Sequence, residues 1–440
     1  MHTEVETVII GSGICGLSIA HFMSKQKKDF VLLESRSQIG GIIQTNISDQ
    51  FICEYGPNTV LLNNDAIKEL IKDQGMWEML IYPEDYSNQN RYVLINNALE
   101  KIPLRFFDFL KSTVLSKKAK FRIFLEFFVK KHSKNTTVYD FVCKRFGKEF
   151  HDKLIEPFIT GVYAGDTKNM SAKHSLKILW NLEQKHGSVL KGLIKSKRSK
   201  KEKVHSFNFP MGLGQLITAM SKSLETKIRT EKKVIDIVKK TDGFLIKTEN
   251  ETFFCKKVVS TVPSFVLKEI VFDDSFSKEM AKVTYNPIDV FHFGFHKKNI
   301  KKMKKGFGVL TKPSDNKSFL GVLFNSQIFP HVSSSDTELF TILVGGERQK
   351  ELCQLESEKL ESIVLKELEE LISHQGEVLL KEHYRWKKGI PQYDMNQENL
   401  IQQINSFEKE NPGFFVLGNY FNGVSVSDAV MKGKNLVDKL

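Results

Sequence analysis

Apolar positions in the first 34 residues fall into three blocks. Thr7–Ile10 is a short apolar run, Ile14–Met23 is a longer amphipathic block, and Phe30–Leu33 is a second short run. Short apolar runs bounded by turn residues read as buried strands, and the longer block reads as a helix. The predicted order is therefore strand, turn, helix, strand. Downstream, Arg91–Ile95 reads as a strand with Asn96-Asn97 as its turn, and Thr136–Phe150 as a helix capped near Thr136. Phe209–Leu216 opens a helix that runs to Leu224. Ile228–Val238, Gly243–Thr248 and Val258–Val262 alternate as strands, and Lys256–Pro263 reads as a return to the first sheet. Between Asp289 and Gly346 the runs FHFGF, GFGVL, FLGVLF and LFTILVGG predict an antiparallel sheet. Glu356–Ser373 has a helical pattern and Arg385–Tyr393 an extended one. The chain ends on a strand at Phe414–Leu417, a glycine turn, and a helix to Leu440.

The first turn, Gly11-Ser12-Gly13-Ile14-Cys15-Gly16, carries the first chemistry. Gly11 permits the tight turn, Gly13 lets a pyrophosphate approach the backbone, and Gly16 lets the helix pack on the sheet. The helix N-terminus offers unpaired N–H groups and partial positive charge to an anion. Glu34 follows Gly16 by 18 residues, near the ~20 expected of the acid that binds a ribose hydroxyl. The pattern predicts a dinucleotide site. A secretory signal would need a basic start, and Glu4 and Glu6 stand there instead. A spanning helix would not place three glycines near its start.

At 440 residues the length suits two or three domains. The net charge of +13 favours an anionic partner: nucleic acid, a lipid surface or an acidic small molecule. Five cysteines without CxxC spacing indicate neither a disulfide framework nor a structural zinc site, and point to a reducing compartment. From Lys101 to Lys134 there are ten Lys/Arg against two acids, interleaved with Phe106, Phe107, Phe109, Leu110, Leu115, Phe121, Ile123, Phe124, Leu125, Phe127 and Phe128. Basic helices with apolar faces suit an anionic bilayer; the competing reading is an ordinary core with solvated lysines. Nucleic acid is disfavoured, because the aromatics lie within hydrophobic runs. Lys195–Lys203 reads as a basic loop.

Past Glu34, the paired glycines Gly40-Gly41 and the stretch Glu54-Tyr55-Gly56-Pro57-Asn58 suggest further backbone approaches to the same cofactor. With the dinucleotide turn they are similar to the flavin-binding arrangement of the amine oxidase superfamily, with Gln38 where that family usually has an arginine and Arg36 nearby. Arg91 by itself reads first as a solvated surface arginine, and beside that as a partner for a substrate carboxylate, which guanidinium matches bidentately. The most specific stretch is Gly161-Val162-Tyr163-Ala164-Gly165-Asp166, where glycines suggest backbone against a flat ligand. GFGVL at 306–310, IPQY at 390–393 and GNYFNGVSVSDAV at 418–430 complete the set. With these motifs the chain closely resembles the oxygen-dependent protoporphyrinogen oxidases of haem biosynthesis over nearly its whole length. The glycine-histidine usual after IPQY is replaced by Asn396-Gln397.

The resemblance implies an α/β fold: a Rossmann-like FAD-binding domain (1–86, 204–262 and 405–440), an antiparallel-sheet substrate domain (87–96 and 263–404) and a helical membrane-binding domain (97–203). It implies FAD contacts from Gly11, Ser12, Gly13, Ile14, Cys15, Gly16, Glu34, Ser35, Ile42, Gly56, Pro57, Asn58, Thr59, Val234, Asn419, Val424, Ser425 and Val426. Arg91 would meet a substrate propionate, the Gly161 carbonyl would face the pyrrole N–H groups, and Phe307, Leu310 and Leu343 would pack on the tetrapyrrole. The implied reaction passes a hydride from a porphyrinogen meso carbon to flavin N5, with O2 as final acceptor and peroxide as product. The hard chemistry is the cofactor's, so no metal and no catalytic side chain is expected, and His292, His296 and His383 are read as structural. The implied setting is the cytoplasmic face of the inner membrane, with a homodimer and hand-over of product to ferrochelatase as partners. Three alternatives stand beside this reading: oxidation of coproporphyrinogen III to coproporphyrin, an amine or carotenoid oxidase, and a catalytically silent flavin-bound porphyrin carrier.

Overall fold

The structure, a computed structural model, describes residues 2–103, 106–196 and 204–440. Most of the basic loop read at Lys195–Lys203 lies outside the described residues, as do the side chains of Phe106 and Phe107. The first strand, Thr3–Ile10, lies inside a mixed sheet. It runs parallel to Phe30–Leu33 on one side and to Thr252–Ser260 on the other, with Ile10 opposite both Leu33 and Ser260. The short strand Ile228–Arg229 extends the sheet past Leu32-Leu33. On the far edge of Thr252–Ser260, the hairpin Val234–Lys240/Gly243–Thr248 pairs antiparallel with its first half, and Phe414–Val416 pairs parallel with its second half. The C-terminus thus returns to the first sheet. Apolar residues pack on both sheet faces, as continuous apolar strands require. Helix Ile14–Lys25 packs on the terminal helix Val426–Val437, where Gly433 brings the two backbones together.

The second sheet runs, in spatial order, Val378–Pro391, Tyr285–His296, Thr337–Gly345, Gly321–Phe324, Gly308–Leu310, Arg91–Ile95, Ala98–Lys101. Its pairings are antiparallel except where Gly308–Leu310 meets Arg91–Ile95 in parallel. Asn96 and Asn97, both at positive φ (51° and 58°), make the predicted two-residue turn between the last two strands. One face, carrying Phe291, Phe293, Val309, Val322 and Ile342, is covered by helix Ser357–Ile372 through Leu360, Val364, Leu368 and Ile372.

Helices Lys117–Phe124, Val138–Phe146, Glu156–Tyr163 and Lys177–His186 pack around Phe141, Val142, Ile159 and Trp180. The helix expected over Thr136–Phe150 is capped by Thr137 and stops at Gly147, whose φ of 92° ends it. The strand expected over Ile228–Val238 is broken at 230–233. There Glu231 takes a positive φ and the chain bends around Glu34, with the Lys232 amide 2.8 Å from the Glu34 carbonyl. Among the described residues no helix is long and apolar enough to cross a membrane.

Candidate active site

The glycine turn leaves the first strand at its C-terminal end, the edge where doubly wound sheets place ligands. The three glycines of the turn stand in different surroundings. A Cβ on Gly16 would stand 1.9 Å from the Gly11 carbonyl oxygen, so the helix closes directly on the turn. Gly11 itself has φ of 99°, and its carbonyl accepts from the Thr261 hydroxyl at 2.9 Å. A Cβ on Gly13 would meet nothing within 4 Å. Gly13 is the N-cap of helix Ile14–Lys25 and supplies no side-chain cap, so the first-turn N–H groups have no side-chain acceptor. That open space beside unpaired amides is the seat a pyrophosphate needs.

Glu34 is tied to the same turn. The Ser12 amide and hydroxyl donate to its Oε2 at 2.9 and 2.6 Å, while the Ser35 hydroxyl and the Arg36 amide donate to Oε1 at 3.1 and 3.0 Å. Burial alone would raise this carboxyl, but these donors outweigh it and hold the pKa below the usual value. The bend at 231–233 runs beside Glu34, and Val234, just past it, is buried in the core against that edge of the sheet. Gly41 closes on Gly13: its Cβ would lie 3.0 Å from the Gly13 Cα, and Gly13 bridges Gly40. Gly56 closes on Ile42 in the same way, its Cβ falling 1.9 Å from the Ile42 carbonyl. Residues 40–43 and 56 are thus stacked against the glycine turn. Pro57 and Thr59 are half-buried beside them, and Ile14 and Cys15 are buried in the first helical turn. Burial raises the Cys15 thiol to about 11.

The C-terminal loop starts at the same edge of the sheet. The Asn419 side chain is half-buried, and no described residue bonds to it. Ser425 caps helix Val426–Val437 through Asp428, so its hydroxyl is engaged within the helix. Val424 and Val426 flank that cap.

Strand register decides what faces the groove. Arg91, Gly308, Leu323, Thr341, His292 and Glu382 lie in one row across the second sheet, and Val93, Leu310, Gly321, Leu343, Val290 and Tyr384 in the next row on the same face. This face meets the segment 54–58. His292 joins the Glu54 carbonyl (3.2 Å) to Thr341 (2.9 Å), and Asn58 takes donors from Asn325 (2.8 Å) and Thr341 (3.4 Å). Burial lowers the His292 pKa to about 4, so it is neutral at pH 7. Leu310 leans over Gly321 and against Gly161, whose Cβ would fall 2.4 Å from Leu310 Cδ2. Gly161 lies in the last turn of helix Glu156–Tyr163, and among the described residues no backbone N–H reaches its carbonyl. Phe158 and Val162, one turn apart on that helix, leave apolar surface exposed. Arg91 lies over the Phe307 ring, 4.2 Å from its centre. The register therefore places Arg91, Leu310 and Leu343 on one face, with Gly161 and Phe307 at its rim.

Two relationships have no signal in the sequence. Tyr55 stacks on Tyr384 at 4.8 Å, and its carbonyl accepts from the Trp386 indole N–H at 2.7 Å, so the second sheet holds the segment 54–58 in place. Glu54 binds the turn at 212–214, accepting from the Leu213 amide and the Thr45 hydroxyl, each at 2.6 Å. His296 pairs with Asp336, and His383 is held between Asp289 and the Phe291 ring.

A family model described as flavin containing amine oxidoreductase matches residues 14–440. The chain belongs to the flavin-containing amine oxidoreductases. FAD is accordingly its cofactor, and the open seat at Gly13, the buried Glu34 carboxylate tied to the same turn and the stacked glycines fit that group. Among relatives, the chain is 30% identical to protoporphyrinogen oxidase 2, chloroplastic/mitochondrial, of Arabidopsis thaliana, over 98% of this chain and 92% of the relative. It is 24% identical to the coproporphyrinogen III oxidase of Bacillus subtilis, over 98% and 96%. A crystal structure from Exiguobacterium sp. 255-15, of a protein with a proposed protoporphyrinogen oxidase activity, superposes with a TM-score of 0.84. That pair is 22% identical and covers 100% of this chain and 98% of the other. That likeness shows that this flavin oxidoreductase shares the fold.

Proposed function

We propose that this flavoprotein oxidises protoporphyrinogen IX to protoporphyrin IX, with O2 as final acceptor and hydrogen peroxide as product. The observation that carries this reading is the Arg91 guanidinium, which pairs with no carboxylate among the described residues, at one end of a face that carries Leu310, Leu323 and Leu343 and whose other, polar end meets residues 54–58. FAD supplies the hydride acceptor. The protein's share is orientation. Arg91 anchors a propionate, Leu310 and Leu343 press on the tetrapyrrole, and the Gly161 carbonyl accepts from pyrrole N–H groups. No side chain need move a proton on this reading. Neutral His292 fixes the floor by bridging Glu54 and Thr341.

A coproporphyrinogen is the second reading, favoured by the Bacillus relative. Its four propionates would need further cations on the face, and the two rows facing the groove hold one, Arg91. The purified protein is expected to be yellow, to bleach anaerobically with protoporphyrinogen, and to turn over coproporphyrinogen more slowly. A colourless protein that takes up no FAD, or one that bleaches only with coproporphyrinogen, refutes the proposal.

The reading also places the protein on the cytoplasmic face of a membrane. Phe121 and Phe128 are 65% and 86% exposed among Lys117, Lys118, Lys120, Lys130 and Lys131. Exposed aromatics with basic neighbours are the chemistry of an anionic lipid surface. A homodimer and product hand-over to ferrochelatase belong to the same proposal.

A further inference from the structure

A lysine stands behind the C-terminal cofactor loop. Lys432, on helix Val426–Val437, directs its ammonium at the carbonyls of Gly418, Phe421 and Gly423, the last two at 3.0 and 3.1 Å. The Phe421 ring lies 5.5 Å from the same nitrogen. No carboxylate among the described residues forms an ion pair with it. The neighbouring carbonyls are tied from the same structure: Tyr393 donates to Asn419 at 2.8 Å and Gln397 to Tyr420 at 2.9 Å. From Gly418 to Gly423, only the Asn422 carbonyl lacks a side-chain donor among the described residues.

Three carbonyl oxygens around one positive charge is the ligand set of a bound monovalent cation, here supplied by a tethered ammonium. Burial pushes the Lys432 pKa below the usual lysine value, so the charge is held against a desolvation cost. A methionine would fill the space without that cost. The carbonyls need the donors, because a buried unpaired carbonyl is itself costly. The loop so held begins where Phe414–Val416 leaves the sheet, and it carries Asn419 and leads into the first turn of helix Val426–Val437.

We propose that Lys432 is a positioning residue for FAD, its charge fixing the 418–423 loop so that Asn419 and the terminal helix's first turn meet the cofactor. The proposal rests on the flavin reading and not on the identity of the porphyrinogen. Charge-assisted hydrogen bonds contribute roughly 1.5–3 kcal/mol, which is about a 10- to 100-fold change in affinity.

The test uses the full-length apo-protein and follows flavin fluorescence quenching and the fine structure of the visible spectrum. Lys432→Met is expected to weaken FAD binding about 10- to 100-fold and to blur the spectrum, with far-UV circular dichroism unchanged. Lys432→Ala is expected to regain affinity in millimolar propylammonium, and Lys432→Arg to stay within about threefold of wild type. Should the methionine variant not fold, the arginine variant and the propylammonium rescue decide. Wild-type affinity in Lys432→Met, or failure of both arginine and propylammonium to restore binding, overturns the proposal. A wild-type protein that binds FAD but ignores porphyrinogens would refute the proposed substrate and leave this inference standing.

Discussion

The guanidinium of Arg91 stands 4.2 Å from the centre of the Phe307 ring, and no carboxylate of the described residues pairs with it. Arg91 is exposed, but partial desolvation beside the ring lowers its pKa from the usual arginine value. An arriving propionate would complete the pair. A charge-assisted bidentate contact contributes about 1.5–3 kcal/mol. Arg91→Ala is therefore expected to raise the porphyrinogen KM about 10- to 100-fold while flavin content stays at the wild-type level. Arg91→Lys should recover only part, because an ammonium lacks the planar fork. Steady-state kinetics alongside flavin absorbance give the answer. Loss of flavin with an unchanged KM would mean the arginine serves the cofactor.

The glycines of the first turn separate fold from cofactor. A methyl group on Gly16 would press into the Gly11 carbonyl at 1.9 Å, whereas one on Gly13 would enter empty space. Gly16→Ala is expected to yield insoluble or unfolded protein. Gly13→Ala should keep the wild-type circular dichroism and apo melting temperature, and lose FAD affinity by tenfold or more, about 1.4 kcal/mol. Equal FAD affinity in Gly13→Ala and wild type would mean that the pyrophosphate sits elsewhere.

The parts legible in the sequence are those whose signal is local. The glycine spacing, the alternation in the strands of the second sheet and the Asn96-Asn97 turn each lie within a few residues of what they specify, and the acid at position 34 is legible through its fixed spacing from the turn, although the Ser12 it binds is 22 positions away. The return to the first sheet is legible at Lys256–Pro263 from the apolar run Val258–Val262, but the strand that pairs with the first one is Thr252–Ser260, starting earlier and ending before Val262. What stayed hidden is long-range. Glu54 reaches the Leu213 amide across 159 positions, and Trp386 reaches Tyr55 across 331. Lys432 looks like any surface lysine of an amphipathic helix until the loop folds over it. Composition leaves Phe128 open between a lipid-facing and a core position; the fold exposes it and buries Glu126, two residues earlier.

Glu54 should give a measurable pH signature. Burial is the main influence on its carboxyl and raises the pKa to about 7, against the partial opposition of Thr45, Leu213 and Asn208. A carboxyl raised on folding contributes stability that is full below the unfolded pKa of about 4.3 and is lost as pH rises through the folded value near 7. Urea unfolding of the wild type should therefore weaken between about pH 5 and 8, by an amount on the order of 3 kcal/mol. Glu54→Gln cannot ionise and should show a flatter profile in that window, even if it is less stable at every pH. Parallel profiles for the two proteins would mean that Glu54 stays charged in the fold.

The exposed aromatics are expected to carry lipid binding. Phe121→Ser with Phe128→Ser should lower partition onto vesicles containing phosphatidylglycerol by about tenfold or more, since each buried aromatic contributes about 1.5–3 kcal/mol. FAD binding should not change. Added salt should weaken the wild type as well, because the lysine contribution is screened over about 10 Å at 0.1 M. Vesicle co-sedimentation of the double variant at the wild-type level would remove this face from the membrane proposal.

Beneath that face, Arg145 is fully buried between two carboxylates, with its Nη1 at 2.7 Å from Glu126 and its Nη2 at 2.5 Å from Glu183. His132 shares Glu183 at 2.7 Å. Glu126 also accepts from the Val189 amide at 2.9 Å and the Leu190 amide at 3.2 Å, so one carboxylate joins the segment bearing Phe128 to helix Val189–Ser196. Removing the cation leaves two buried charges facing each other, and breaking such a pair costs about 3–5 kcal/mol. Arg145→Leu should therefore lower the melting temperature and abolish vesicle binding together, because both apolar segments lose their common anchor. Adding Glu126→Gln and Glu183→Gln removes the stranded charges and should restore most of the stability. If Arg145→Leu melts like the wild type, the cluster is not what holds the two segments in place. If the triple variant stays as unstable as Arg145→Leu, the loss comes from the missing side-chain volume rather than from unpaired charge.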